Sequence, residues 1–387
     1  MIIHFFINYY GYYVLFFILF IFSILSILNR KKEKYCFLIF SIVSTFFIIF
    51  RFDFEFDYVW YWIVGDNRFK NYWVYSFEYE RIAPLFKFLY DITRYFENPK
   101  IFFMLTGIIF SYLFFYGIKT YSKKKMLALS LYFYLPSLYF TFLLGFIRQG
   151  IAIVMSFFLI KLLLKEKYLK YILGIFFITF FIHRSAMICL LHLVIYKIKN
   201  RKKYIILLKL MIILFFLSID IILNKINIYT FYLDNKIHSI LGIKMIIIIL
   251  ILYILLEITI NIKKIKLFRE EKFYRELIST GILIFILTAI KIGGHVPMRT
   301  SIYFFIIFPI YFGNILAIVN SQKNIQILII TFFFIFANFN LMRVSYKEYQ
   351  KSNLRKSWYF KNSLFNKYED LSGKYTPHGK IDFKWRN

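Results

Sequence analysis

Long apolar runs recur along the whole chain, separated by short breaks that are rich in Lys and Arg. An α-helix needs about 20 residues to cross the hydrocarbon core of a bilayer, and it satisfies its own backbone groups there. The 60% hydrophobic content is also more than a soluble chain of 387 residues can bury. We therefore expect an all-α, polytopic transmembrane bundle of about twelve spans. The predicted spans are 5–28, 35–50, 100–118, 126–144, 147–164, 170–183, 185–197, 204–223, 242–262, 277–292, 301–319 and 324–342.

The basic breaks predict an orientation. One orientation puts every break that follows an odd-numbered span in the cytoplasm, where loops carry an excess of Lys and Arg. Because the formal charge of +30 is concentrated in these breaks rather than in a stripe, we expect no nucleic-acid partner. Both chain ends then lie outside, although the tail is itself basic. The basic breaks are 30–34, 119–125, 161–170, 197–203 and 263–275.

We expect a transmembrane domain over residues 1–342 and a polar tail over 343–387. The outer loop 51–99 holds eight of the chain's 20 acidic residues, on the outward side. Within it, residues 82–96 place apolar side chains at helical spacing, with charged residues interspersed. This stretch is either an interfacial helix on the outer leaflet or a short ordered helix within the loop.

Charged side chains at span ends are costly in a membrane and mark candidate functional sites. Arginine binds phosphates through parallel hydrogen bonds, and helix N-termini such as those near Arg148 and Arg299 favour anions. These features suit the pyrophosphate of a polyprenyl carrier, whereas the simpler interpretation is that each arginine anchors its helix at the headgroups. The predicted topology brings the following charged residues to the outer face: Arg51, Arg148, His183, Arg184, His295 and Arg299.

Aromatic and charged residues alternate over residues 51–57. A strand would place the three carboxylates on one face, and a helix would align Asp53 with Asp57. Either arrangement supplies a general base for a sugar hydroxyl or ligands for a divalent metal, and a solvated acidic loop is the third interpretation. His183 can accept a proton near neutral pH, although a histidine at a span end also serves structural roles.

Residues 145–186 resemble the EpsG family of membrane proteins from bacterial polysaccharide loci. The resemblance rests on Arg148-Gln149-Gly150 at the head of a span, a basic turn at 165–167, and Ile182-His183-Arg184-Ser185-Ala186, where Ile182 replaces the family's Phe. Weaker matches flank this segment. They are Arg51, the stretch Asp57-Tyr58-Val59-Trp60-Tyr61 preceded by Glu55 where the family has Gly, the separated pair Glu80 and Pro84, and Arg299 to Phe304.

The resemblance implies a Wzy-type polymerase of surface-polysaccharide repeat units, similar to the multi-span, GT-C-like glycosyltransferases that use lipid-linked sugars. Its donor and acceptor would be oligosaccharides on undecaprenyl pyrophosphate, used in the bacterial inner membrane at an active site that faces the periplasm. A flippase and a chain-length regulator are the implied protein partners. The transfer would be inverting, without a cofactor or an obligatory metal.

The chemistry of such a transfer assigns roles to the candidate residues. The pyrophosphate-binding candidates are Arg51, Arg148 and Arg299. The candidates for the general base are Asp57, which the family pattern favours, Glu80 and His183, and His183 is alternatively a phosphate ligand. The sugar-stacking candidates are Tyr58, Tyr61 and Trp62, and the further site candidates are Gln149, His295 and Tyr303.

Three other functions remain open at the level of sequence. A flippase for lipid-linked sugars would also use arginines, but the sequence has no visible inverted repeat and its charges gather at one face. An O-antigen ligase would share the fold and the arginines and would differ in its acceptor. An acyltransferase would need His183 as a catalytic residue.

Overall fold

The structure is a computed structural model, and it describes residues 2–49, 51–52, 83–98, 100–135, 147–226, 240–291, 296–319, 323–351, 361–362, 375–376 and 379–380. This part of the chain is almost entirely helical, which confirms the predicted all-α class. The α-helices are α1 Ile2–Leu28, α2 Glu33–Ile49, α3 Pro84–Tyr95, α4 Lys100–Tyr121, α5 Lys125–Tyr134, α6 Ile147–Leu164, α7 Tyr168–Phe181, α8 Leu190–Ile198, α9 Lys202–Ile226, α10 Ile240–Ile262, α11 Arg269–Lys291, α12 Val296–Phe305, α13 Phe308–Ile318 and α14 Lys323–Lys351.

Short elements complete the described fold. Short 3₁₀ segments run over the three residues Arg30–Lys32 and the six residues Arg184–Cys189. Four two-residue strands are β1 Arg51–Phe52, β2 Lys361–Asn362, β3 Tyr375–Thr376 and β4 Gly379–Lys380. β1 pairs with β2 and β3 with β4, both antiparallel, so part of the tail lies beside the end of α2.

The centre of the bundle is built from α5, α12 and α13. The apolar window of Val296–Ile318 is 89% buried, and every residue from Met126 to Tyr134 is buried. The outer helices differ, because α9 and α14 each expose a series of large apolar side chains such as Leu214 and Leu328. Such surfaces are unfavourable in water and suit contact with lipid tails.

Four helices of the described chain are long and apolar enough to cross a membrane: Lys100–Tyr121, Ile147–Leu164, Arg269–Ile290 and Val296–Ile318. Apolar stretches of 10–17 residues also lie in α7, at Tyr168–Phe181, and within the longer helices α1, α10 and α14, at Tyr13–Leu28, Ile246–Ile262 and Lys323–Phe339. The chain is therefore a membrane protein with several apolar helices. The count of about twelve spans and the GT-C-like arrangement remain predictions.

Several predicted spans differ in their bounds from the structure. The helix predicted over 277–292 begins at Arg269, the helix predicted over 324–342 continues to Lys351, and α5 ends at Tyr134, with 136–144 of its predicted span outside the described residues.

Two further spans differ in form. The segment predicted as 185–197 begins with the 3₁₀ turn Arg184–Cys189 and continues as the 9-residue helix α8. The segment predicted as 301–319 begins earlier, at Val296, and breaks between α12 and α13. Pro309 causes this break because it has no backbone N–H to continue the helical ladder, and the hydroxyl of Tyr132 donates to the carbonyl of Ile306 at the break.

The five basic breaks lie together at one end of the bundle, which we call the basic face. Side chains and charges connect four pairs of neighbouring breaks here. The Glu33 carboxylate accepts a hydrogen bond from the Met126 N–H (3.4 Å), and Lys123 forms an ion pair with the buried Glu271 (2.6 Å). Arg269 forms an ion pair with Glu166. The charges of Arg269 and Glu166 also act on the pKa of Lys199. The five breaks are thus neighbours in the structure, and the side of the membrane on which they lie remains a prediction.

The predicted helix over 82–96 is present as α3, from Pro84 to Tyr95. Its buried residues Phe86, Leu89, Tyr90 and Thr93 pack against α4 and α7, and the ring of Tyr90 stacks on Phe102 of α4 at 4.3 Å. The apolar face of α3 is therefore used to pack against the protein, as an ordered loop helix would use it.

Candidate functional site

The start of α6 is fixed to α12 by one buried amide. Gln149 is 4% exposed, and its Nε2 donates to the backbone carbonyl of Arg299 (2.5 Å). Arg148 precedes it in the first turn of α6, and Arg299 lies in the first turn of α12. The contact thus brings together two arginines that are 151 positions apart in sequence (299 − 148), at the end of the bundle opposite to the basic face.

The turn after α7 completes this end, which we call the site face. α7 ends at Phe181, and His183 adopts an extended backbone before the 3₁₀ turn Arg184–Cys189. His183 Nδ1 lies 2.6 Å from the Ser185 hydroxyl, and that hydroxyl lies 2.8 Å from the hydroxyl of Tyr303 on α12. Because Tyr303 follows Arg299 by four residues, both lie on one side of α12.

This hydrogen-bond chain assigns the proton on the histidine ring. The backbone N–H of Ser185 donates to His183 Nδ1 (3.3 Å), so Nδ1 is an acceptor. The Ser185 hydroxyl then donates to the same nitrogen and accepts from Tyr303. A neutral imidazole has one donor and one acceptor nitrogen, so the proton of His183 is on Nε2. His183 can therefore donate one hydrogen bond to a ligand.

The surroundings of His183 keep it neutral. Burial, together with the positive charges of Arg148 and Arg299, lowers the pKa of His183 to about 4. Both guanidinium charges act in this direction, because a like charge disfavours the protonated imidazole. At neutral pH the site face thus offers two permanent cations and one neutral N–H donor, a combination that suits an anion with several oxygens.

A model of the EpsG family matches residues 34–354, which is most of the chain. The chain belongs to the EpsG family. Its membership indicates a membrane protein of polysaccharide synthesis. No curated protein and no solved structure matches the chain.

The structure brings some of the predicted site residues together and does not describe others. Five of them come together at the site face: Arg148, Gln149, His183, Arg299 and Tyr303. Only the backbone of Arg51 is described, in β1 at the far end of α2 from the basic face. The remaining candidates lie outside the described residues, and their roles stay predictions; they are Asp57, Tyr58, Tyr61, Trp62, Glu80 and His295.

Ser185 is a site residue that the sequence reasoning did not single out. Its hydroxyl connects His183 to Tyr303, and its backbone N–H also donates to His183. The signal was its position two residues after the histidine, where a serine side chain can reach back to a ring nitrogen across a tight turn.

The described residues contain no group of three or more His, Cys, Asp or Glu side chains that could hold a metal ion. The acidic segment 51–57, for which a metal site was one interpretation, has no described side chains. The site face as described is therefore a cationic site whose charge comes from arginine.

Proposed function

We propose that this EpsG-family chain is a membrane glycosyltransferase that polymerises oligosaccharide repeat units carried on undecaprenyl pyrophosphate. The observation that carries the proposal is the convergence of Arg148, Arg299 and the neutral His183 at one end of the bundle. A lipid-linked donor presents its pyrophosphate at a membrane surface, where donors on helix ends can reach it. Family membership supports the polysaccharide context.

In the donor half of the reaction, the bond between the anomeric carbon and the pyrophosphate oxygen breaks. Negative charge develops on the leaving pyrophosphate, and fixed donors that face this charge lower the barrier. Arg148 and Arg299 supply the charge-assisted hydrogen bonds, and His183 Nε2–H supplies a neutral one. The arginines take the place that a divalent cation has in many phosphate-transfer sites, so the proposed transfer needs no metal.

In the acceptor half, a sugar hydroxyl of another lipid-linked unit attacks the anomeric carbon and loses its proton to a base. A base works best when its pKa lies near the working pH, and the low pKa of His183 makes it a weak proton acceptor. We therefore assign His183 to the phosphate and keep Asp57 as the favoured base, with Glu80 as the alternative. Attack from the face opposite the leaving group inverts the anomeric configuration.

The proposed orientation puts the basic face in the cytoplasm, following the distribution of Lys and Arg. The site face then opens to the exterior of the inner membrane. Both substrates would reach it from the outer leaflet, after a flippase has delivered them, and a chain-length regulator would act on the growing polymer there.

Alanine substitutions of the arginines test the proposal. In a strain that lacks the gene, Arg148→Ala or Arg299→Ala should reduce polymer formation by about 10²-fold, since each removes one donor to the developing charge. Arg184→Ala is the matched control, because Arg184 is an exposed arginine that directly follows His183. Surface polysaccharide would be measured by gel electrophoresis, with membrane levels of each variant measured in parallel.

Two results would count against a polymerase. Normal polymer length in both arginine variants would remove the role of the cationic site. Accumulation of unextended repeat units on the cytoplasmic side of the deletion strain would indicate a flippase, because a polymerase mutant accumulates single units that have already crossed.

A further inference from the structure

A second group of cations lies at the basic face, far from the site face. The ammonium of Lys197 lies 3.5 Å from the centre of the Tyr168 ring, and the ammonium of Lys199 lies 3.4 Å from the centre of the Tyr196 ring. The two rings are 6.3 Å apart. We call these four residues, together with Arg269, the tyrosine–lysine cluster. Cation–π contacts hold each ammonium against its ring, and the two rings are neighbours.

Positive charge dominates around this cluster. The Arg269 guanidinium lies 5.2 Å from the Tyr196 ring and pairs with Glu166. The breaks 161–170 and 197–203 contain nine Lys and Arg residues (four plus five) and one carboxylate, Glu166. The break 263–275, which supplies Arg269, contains six Lys and Arg residues and two carboxylates. Glu270, at the start of α11, is a second carboxylate whose charge reaches Tyr196. Cations therefore remain in clear excess.

Lys199 shows the consequence of this excess. The residue is 7% exposed, and its ammonium donates to the carbonyl of Tyr196 (2.6 Å). Burial, with the nearby charges of Arg269 and Lys197, lowers the pKa of Lys199 to about 8. A buried cation beside other cations is unfavourable, and an anion placed among them would stabilise it. Of the three N–H groups of the ammonium, one donates to this carbonyl and one faces the Tyr196 ring, which leaves one donor for such an anion.

An apolar stripe on α7 leads away from the cluster. Tyr168 is the first residue of α7, and the side chains that follow it at helical spacing are exposed: Leu169 at 69%, Leu173 at 59%, Phe177 at 48% and Phe180 at 67%. The spacing of four, four and three residues places these side chains on one side of the helix, along its length. Acyl chains can lie along this stripe while a headgroup reaches the cations.

We propose that the tyrosine–lysine cluster binds the phosphate of an anionic phospholipid whose acyl chain lies along the α7 stripe. The site complements such a lipid in both parts, with cations and tyrosine rings at the headgroup and aliphatic and aromatic side chains at the tail. It is independent of the proposed polymerase activity. In the proposed orientation the lipid belongs to the cytoplasmic leaflet.

Lipid binding to the purified full chain tests this site. Phosphatidylglycerol and phosphatidylcholine with identical acyl chains would be titrated into the detergent-solubilised protein, with retained lipid counted by native mass spectrometry. We expect retention of phosphatidylglycerol but not phosphatidylcholine. Lys197→Gln together with Lys199→Gln should weaken it by tenfold or more, because both ammonium groups that hold the proposed phosphate lose their charge.

Controls separate this site from general charge attraction. Lys167→Gln with Lys170→Gln removes two exposed lysines of the same face and should leave retention unchanged. Lys197→Arg with Lys199→Arg keeps the charge and should restore retention, which distinguishes lost binding from misfolding. Equal retention of both lipids by the wild type, or equal loss in the control variant, would overturn the proposal. Full displacement of the lipid by millimolar inorganic phosphate would overturn the role of the acyl chain.

Discussion

At the scale of single residues, the role of His183 is decided by its neighbours. Ser185 holds Nδ1 as an acceptor, and Tyr303, 1% exposed on α12, holds the Ser185 hydroxyl. Burial, together with the positive charges of Arg148 and Arg299, makes the protonated ring unfavourable. His183 is thus a neutral donor in the free protein, and its chemistry follows from this hydrogen-bond chain rather than from the residue type alone.

Removal of the Ser185 hydroxyl tests this chain. Ser185→Ala should lower the polymerisation rate by about tenfold, because the loss of one orienting hydrogen bond costs about 1 kcal/mol or slightly more. Ser185→Thr retains a hydroxyl and should recover most of the rate. Ser41→Ala is the control, since the Ser41 hydroxyl donates to the Phe37 carbonyl of its own helix. Equal rates for Ser185→Ala and the wild type would contradict the assigned role.

The lowered pKa of His183 predicts a pH dependence of stability. Between pH 6.5 and about 4 the unfolded chain binds a proton on this residue and the folded chain does not, so stability falls as the pH falls through this range. The loss is up to about 3 kcal/mol. Thermal unfolding of the wild type and of His183→Gln would be measured in detergent at pH 7.5 and at pH 4.5. The unfolding midpoint of the wild type should fall relative to that of the variant at the lower pH. A constant difference would show that His183 does not titrate as described.

At the scale of elements, close contact between helices depends on small residues. α4 and α6 approach each other at Gly117, where a Cβ atom would lie 2.2 Å from the Phe157 ring. That ring is 1% exposed and packs edge-on against Tyr121 at 5.1 Å, so it has no space to move. The α4–α6 contact thus requires glycine at this position.

Two glycine substitutions with opposite expected effects test this packing. Gly117→Ala should destabilise the protein by about 1–3 kcal/mol through overpacking. Gly313→Ala on α13 is the matched control, because the nearest atom to its Cβ, the Lys124 carbonyl oxygen, is 3.6 Å away. It should be neutral or slightly stabilising, since alanine favours a helix more than glycine does. Thermal unfolding in detergent measures both, and equal midpoints would contradict the α4–α6 geometry.

The sequence predicted the positions of the helices better than the residues at which they begin, break and end. Hydrophobic runs located α4 and α6, because spans of that length need only composition and period. The break at Ile306–Ile307 was missed, since it combines Pro309 with a hydroxyl from Tyr132, which is far away in sequence. The 3₁₀ turn before α8 was missed for a similar reason: His183 accepts hydrogen bonds locally from Ser185 and so ends the regular helix.

At the scale of the whole molecule, charge divides the protein into two ends. Ion pairs such as Lys123–Glu271 hold the basic face together, and Arg148, His183 and Arg299 form the site face. The sequence predicted this division from the alternation of basic breaks and spans. It could not predict that Gln149 would bind the Arg299 backbone, because that contact depends on how α6 packs against α12.

The central claim is that the site face binds the pyrophosphate of a lipid-linked sugar and transfers its glycan. The most direct measurement is incubation of the purified protein, in detergent or liposomes, with a lipid-linked oligosaccharide repeat unit, followed by electrophoresis of the products. We predict a ladder of polymer lengths for the wild type and only the single unit for the double variant Arg148→Ala with Arg299→Ala. Unextended substrate with the wild type, or the same ladder from the double variant, would contradict the account.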